Sequence, residues 1–391
     1  MKNKYKWFGA MRSIAIIALI VAIGMVTTTC RSDGGGDDSD GGMTWTPVPS
    51  SPFYPYGGVH VISQWKGLGS KFVAGGRRFT DSDGTVHYDI IGYSTDGINW
   101  TGAQSANDIF EKDDTIYAMS SSSYVAGGSS GKMAYSSDGI KWTSEASPFG
   151  SEKNDVIRAI ASGNIYVVAV GQGEDTDGKK IGKIAYTYFN RPWTWNAVTT
   201  DPNTGTDNIF SAPINTIVWG SDKFVAGGAN GKMAYSIDGK TWTPVWDSTF
   251  GNDSINAIAW SWDGKFVAVG GDNKMAYSTN GVNWIPVSNP FKSRSDIKVI
   301  TWGGTARGGR FVAGANSPGT GTGSGYRDVL EMAYSDNGID WTIIVDTTLP
   351  SGTISALAWS VEPVEPYTLG RFVAAASDGM WYSDWYPRID W

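Results

Sequence analysis

Side chains able to do chemistry are few in this chain, and they are scattered. His60 and His87 are the two histidines, and Cys30 is the single cysteine. A Ser-His-Asp relay would have to run through one of those histidines. His60 sits in the apolar run Gly58–Ser63, where a structural imidazole is expected, and His87 lies in a polar hairpin, where a solvated one is. Two separated histidines without a His-Glu-x-x-His pattern are a poor zinc offer, so no metal and no cofactor is expected. Asp-x-Asp-Gly occurs at Asp81–Gly84 and Asp175–Gly178. That spacing opens a calcium loop, but the third ligand position and the closing Glu are missing. Each copy therefore reads as a long hairpin tipped by an Asp-Gly turn.

A repeat carries these residues. Its clearest copy is Lys223–Val245, KFVAGGANGKMAYSIDGKTWTPV. Lys71–Thr101, Ser123–Thr143, Lys265–Val287 and Arg310–Ile344 repeat both halves of it, and Val167–Val198 and Arg371–Trp391 are worn copies. Self-similarity at about 40–55 residues marks a solenoid or a propeller. Each unit holds short runs rich in Val, Ile, Phe, Tyr and Trp, such as Ile255–Trp260, Phe266–Val269, Met275–Ser278 and Trp284–Val287. Runs of this length are strands, and the first two are apolar on both pleat faces, so both must be covered. Small sheets stacked face to face around a ring meet that demand, whereas a linear solenoid would need polar caps.

Marker tryptophans fall at Trp45, Trp100, Trp142, Trp195, Trp242, Trp284, Trp341 and Trp391, bounding seven intervals. Met43–Val48 reads as an outer strand with no inner strands before it, and the last copy stops at its Trp. The expectation is all-β: a seven-bladed β-propeller of four-stranded antiparallel blades, its ring closed by the N- and C-terminal strands. Phe53, Phe149, Phe250, Phe291 and Leu349, each seven or eight residues past a marker, are expected to plug the seams between blades.

The tract Tyr-Ser-x-Asp/Asn-Gly-x-x-Trp stands at Tyr93–Trp100, Tyr135–Trp142, Tyr235–Trp242, Tyr277–Trp284 and Tyr334–Trp341. Asp-Gly and Asn-Gly suit a tight hairpin, and Ser and Asp side chains fix such turns through nearby amides. Asp96, Asp138, Asp238, Asn280 and Asn337 are therefore read as turn staples. The tract resembles the Asp box of sialidase-like, BNR-repeat propellers, Ser-x-Asp-x-Gly-x-x-Trp, with the loop one residue shorter. The resemblance implies an architecture with many functions, in which the box lies opposite the usual binding face. Sialidases use an arginine triad, a tyrosine nucleophile and an acid, with an early Phe-Arg-Ile-Pro motif; no such motif is present here, and sialidases usually have six blades rather than seven.

Residues 1–29 read as a signal peptide: Lys2, Lys4, Lys6 and Arg12 precede the apolar run Ile14–Val26, with Thr27–Thr29 before Cys30. A sole cysteine at that place resembles the lipidated residue of a bacterial lipoprotein, with ordinary secretion as the other reading. Residues 30–43 read as the lipidated Cys30 and a flexible acidic Gly/Asp tether, and 44–391 as the propeller. Removing Met1–Thr29 takes away four of the 31 basic residues and no acids, leaving 27 against 38 and a net charge of −11. That charge disfavours nucleic acid and anionic lipid, so membrane contact would come through the lipid alone.

The expected function is a non-enzymatic, envelope-anchored platform, monomeric, periplasmic or surface-exposed, for a protein or glycan partner. Photosystem assembly factors are a precedent within the resemblance. A glycan-active hydrolase is the alternative, and it would need paired carboxylates facing across the channel. Long loops place the binding face opposite the staples: Arg77–Tyr88, Gln172–Gly182 and Asn316–Asp328. Arg77, Arg78, Asp81, Asp175, Tyr326 and Arg327 are the candidate ligand residues there.

Overall fold

The structure, a computed structural model, describes residues 43–53, 58–65, 71–77, 79–80, 86–87, 89–111, 113–120, 125–189, 193–198, 211–292, 295–305, 308–317, 329–346, 349, 352–364 and 367–385. Cys30, the leader, the tether up to residue 42, Arg78, Asp81, Tyr326 and Arg327 lie outside the described residues.

Seven four-stranded antiparallel sheets follow one another along the chain. Their first strands are Val59–Trp65, Ile116–Ser120, Val156–Gly163, Ile214–Gly220, Ile255–Trp260, Asp296–Thr305 and Ile354–Val364, which number blades 1 to 7. Neighbouring first strands touch in an unbroken circuit from blade 1 to blade 7 and back, so these strands wall the axis of a seven-bladed propeller. The seventh blade takes its outermost strand from the other end of the chain. Thr46–Pro47 pairs with Gly379–Trp385, with Thr46 opposite Tyr382 and Pro47 opposite Trp381.

Burial follows the layer order. Second strands are sealed on both faces: Phe72, Val73 and Ala74, and likewise Phe266, Val267 and Ala268, are 0–1% exposed. Each lies between two neighbouring sheets, which is why no polar residue alternates there. Fourth strands are mostly two residues long, as at Thr243–Pro244 and Ile285–Pro286. A short outer strand with a proline leaves little free edge for another chain to pair with. Phe53, Phe149, Phe250 and Phe291 are buried in the seams, and Leu349 packs at the seam of blades 6 and 7.

Strand order sorts the connections onto two faces. Hairpins between first and second strands share one face with those between third and fourth; loops between second and third strands share the other with the blade-to-blade links. We call these the turn face and the link face. Backbone bonds knit the link face: Ser129 N–H donates to Thr115 O and Gly131 N–H to Asp155 O.

Five turns on the turn face are built alike. In each, the Ser hydroxyl accepts the Gly N–H at 2.8–2.9 Å, and the Asp or Asn Oδ1 accepts the two amides that follow at 2.7–2.9 Å. Gly97, Gly139, Gly239, Gly281 and Gly338 all take φ of 69–75°, where a side chain would be strained.

Asp96 and Asp238 each meet two opposed influences. Desolvation is the larger single influence and raises the carboxyl pKa; the accepted hydrogen bonds together outweigh it and hold it below the ordinary value. A depressed folded pKa contributes stability above the unfolded value and loses it as pH falls through the folded one. The double variant Asp96→Asn, Asp238→Asn keeps the same acceptor and should match the parent at neutral pH. Below about pH 4 its melting midpoint should fall less steeply than the parent's. Parallel acid profiles would refute the carboxylates' role.

Candidate functional site

Every first strand carries a β-bulge at its second apolar position. Pairing with the second strand slips between Val59 and Val61, Ile116 and Ala118, Ile157 and Ala159, Ile214 and Thr216, Ile255 and Ala257, Ile297 and Val299, and Ile354 and Ala356. The residue left over is His60, Tyr117, Arg158, Asn215, Asn256, Lys298 and Ser355 in turn. A bulge re-aims its side chain away from the pleat faces. On the innermost strand this gathers seven non-identical polar or aromatic side chains around the axis, at the link-face mouth. Glycine makes room for it: a Cβ on Gly76, Gly128, Gly171, Gly228 or Gly270 would sit 1.9–2.2 Å from a carbonyl oxygen at the start of its blade's first strand.

Three of the seven form a repeating latch. Asn215 Nδ2 donates to Ile255 O at 3.0 Å, Asn256 Nδ2 to Ile297 O at 3.0 Å, and Ser355 Oγ to Val59 O at 2.6 Å. In each case the acceptor is the residue just before the next blade's bulge. Asn256 also reaches Asp296, at 2.7 Å, and the same carboxylate pairs with Lys298. Blades 4, 5 and 7 thus latch to the next blade with two short amides and a hydroxyl, and in blade 6 Lys298 pairs with Asp296 of its own strand instead.

Blades 1 to 3 do not. His60, Tyr117 and Arg158 make no such bond, and they stand in consecutive blades. The His60 imidazole meets the Tyr117 ring edge-on, with centroids 5.5 Å apart at 62°. His60 is exposed to solvent yet recessed among protein atoms. Desolvation there, with the Arg77 charge second, holds its pKa below the usual imidazole value. Arg158 is half-buried, and Nε and Nη2 both donate to Gln172 Oε1, at 3.2 and 2.8 Å. Gln172 is 5% exposed. Desolvation lowers the Arg158 pKa, offset in part by the Tyr117 phenol.

The structure departs from the sequence reading at several points. His60, expected inside the strand core, is at the rim. His87 does stand in a small hairpin, as read: Val86–His87 pairs with Phe79–Thr80. Gln172–Gly182 is not a long loop: its strands run on, Glu174 pairs with Lys180, and 175–179 form the tip. Asp175 Oδ1 accepts Asp177 and Lys179 amides there, which fixes the tip. Arg77 is exposed, 3.5 Å from Asp113. Among the described residues no group of three or more His, Cys, Asp and Glu is placed to hold a metal ion.

The bulge column was missed, though a signal existed. Aligned on their bulges, the first strands read VHVI, IYAM, IRAI, INTI, INAI, IKVI and ISAL. One polar or aromatic position varies between fixed apolar neighbours. Farther out on the link face, a cleft of about 460 Å³ opens at blade 4 beside Lys232, Trp246 and Ser248, and Trp246 is 82% exposed.

No protein-family model matches the sequence, and no curated protein matches it. Among solved structures the chain is similar to YCF48 bound to D1 peptide, at TM-score 0.53 and 12% identity, over 89% of this chain and 96% of that one. It is similar to a chain of the mitotic checkpoint complex, at 0.53 and 13%, over 88% and 95%. A third is the WD40 β-propeller domain of Doa1, at 0.52 and 12%, over 87% and 96%. Identities this low speak for the fold alone, and the fold is the seven-bladed propeller the repeats implied.

Proposed function

We propose that the chain is a non-enzymatic platform that holds a protein partner on its link face, at the channel mouth of blades 1 to 3. The observation that carries this reading is the interrupted latch. A rim serving closure alone would repeat Asn or Ser seven times; Lys298 breaks the series once and is tied to Asp296, whereas His60, Tyr117 and Arg158 leave large groups unlatched in three consecutive blades. A rigid scaffold presenting uneven groups at one mouth is suited to recognition. Trp246 adds an exposed aromatic of the kind that anchors interfaces. Arg77, just past a second strand, is exposed on the same face and would widen the contact. The fold has precedent for this use, since YCF48 is solved with a D1 peptide. A hydrolase would need two carboxylates across the channel, and the seven bulge positions include none.

The reading extends to the address: Cys30 is lipidated, and the tether holds the propeller at a bacterial envelope. One experiment tests both parts. The full chain is captured with its bound material from native membranes, as parent, as Cys30→Ser, and as Tyr117→Ala with Trp246→Ala. Cys30→Ser should move the chain to the soluble fraction, and the link-face variant should lose a protein that Ile237→Ala, on the turn face, retains. Unchanged fractionation removes the anchor. Loss with Ile237→Ala alone, or recovery of a glycan alone, removes the platform as described.

A further inference from the structure

We propose that Arg158, Tyr117 and His60 form a recess that binds one carboxylate of a peptide; this rests on the platform reading and names what the platform grips. The case begins with charge. Around the mouth, Lys298 is neutralised by Asp296, and Arg77 stands beside Asp113. Among the described residues Arg158 has no carboxylate within ion-pair distance. Its one acceptor is the uncharged Gln172 Oε1, which takes both Nε and Nη2. A buried amide that grips two of a guanidinium's three nitrogens fixes the plane of the group and leaves its charge intact. Nη1 makes no hydrogen bond among the described residues.

A half-buried cation that has given up hydration without gaining a counter-ion is a costly arrangement for folding alone. It is a useful one for binding, because the guanidinium is already oriented and already partly dry. Its neighbours fit the same ligand. The Tyr117 phenol is an O–H donor near Arg158, and the His60 imidazole packs against the Tyr117 ring. Three potential donors thus stand in consecutive blades, side by side along the rim, on a chain whose net charge is negative. Phosphate shares the chemistry, but a protein partner presents carboxylates along its whole length.

The test uses the full chain in detergent and titration calorimetry with three pentapeptides. One is acetyl-Gly-Gly-Glu-Gly-Gly-amide, one its Gln counterpart, and one acetyl-pentaglycine with a free carboxyl terminus. Inorganic phosphate is the fourth probe. The Glu peptide should bind at least tenfold more tightly than the Gln peptide, and the free-terminus peptide shows whether a chain end serves as well as a side chain. Gln172→Glu is the decisive variant: it supplies Arg158 with an internal carboxylate and should abolish the Glu preference while leaving the melt intact. Arg158→Gln should do the same, and Arg158→Lys should keep part of it. Equal binding of the Glu and Gln peptides, no binding of the Glu peptide, or phosphate preferred over every peptide overturns the proposal. A full Glu preference surviving in Gln172→Glu overturns it as well. If Gln172→Glu still captures the native protein partner that Tyr117→Ala with Trp246→Ala loses, the platform stands and the carboxylate recess fails.

Discussion

Trp45→Ala should lower the melting midpoint by on the order of 5 °C, a large effect for a single side chain in a domain of this size. Trp45 is 1% exposed and belongs to the buried cluster that joins Met43, Ile354, Trp359, Phe372 and Trp381 of blade 7 to Val312, Leu330 and Met332 of blade 6. Truncating a buried Trp costs about 3–5 kcal/mol, and with ~2 cal/mol/K of unfolding entropy per residue each kcal/mol moves the midpoint of a domain this large by roughly 1–2 °C. The backbone adds to this. Trp45 N–H donates to Asp346 Oδ2 at 2.7 Å, and Val48 N–H to Met380 O at 2.8 Å. Deleting Met43–Val48 should therefore cost more than the point variant, because blade 7 then loses its outer strand and blade 6 its cover. Thr46→Ala, at an exposed site on the same strand, is the control and should melt with the parent. Parent-like melting of Trp45→Ala would mean that the ring does not depend on this strand.

Much of the fold was legible, and the reason is periodicity. The repeated Tyr-Ser…Gly…Trp tract set the blade count because each copy must make the same turn to bury the same Trp. The unmatched outer strand at Met43–Val48 and the truncated last copy fixed the closure. The site was legible only in part. His60 stands between Val59 and Val61, so strict alternation would give it one pleat face and both valines the other. The bulge breaks that alternation: the next register pair after Val59–Gly76 is Val61–Gly75, and His60 is left over at the edge. No single strand shows such a slip, because the signal is the comparison of seven residues, of six types, at one position. The Gln172–Gly182 stretch misled for a different reason. Gln172, Glu174, Lys179 and Lys180 are polar and suggest a loop, yet a hairpin reaching beyond its neighbours' cover must be polar outside while still pairing inside. Gln172 then proves to be the buried residue that orients Arg158.

The second large effect is expected at the opposite mouth. Near the end of the first strand, blades 4 to 7 carry Trp219, Trp260, Trp302 and Trp359, and three of these lie over a glycine of the preceding blade. A Cβ on Gly163 would come within 1.9 Å of Trp219, on Gly220 within 2.3 Å of Trp260, and on Gly303 within 2.3 Å of Trp359. At the corresponding seams 7–1 and 2–3 the contact is polar: Gln64 Nε2 donates to Ser360 Oγ at 3.3 Å, and Ser120 and Ser162 hydroxyls meet at 3.0 Å. The indole is a wedge that needs a bare backbone behind it. Trp359 is 6% exposed and packs against Phe372 and Trp385, with ring centroids at 4.5 and 5.5 Å. Trp359→Ala should therefore cost about 3–5 kcal/mol, and Gly303→Val, which overfills the seam, about 1–3 kcal/mol. The double variant decides whether the two are one device. If the valine fills part of the space the indole leaves, the combined loss in denaturant unfolding falls short of the sum of the singles by at least 1 kcal/mol, well above the scatter of independent sites. Additive losses would mean that the glycine serves something other than the wedge. Coupling would show that the seam between blades 6 and 7 is fastened on the turn face by an indole seated on bare backbone, an arrangement repeated where Trp219 lies over Gly163 and Trp260 over Gly220. Those three seams would then be fastened without help from His60, Tyr117 or Arg158 at the other mouth.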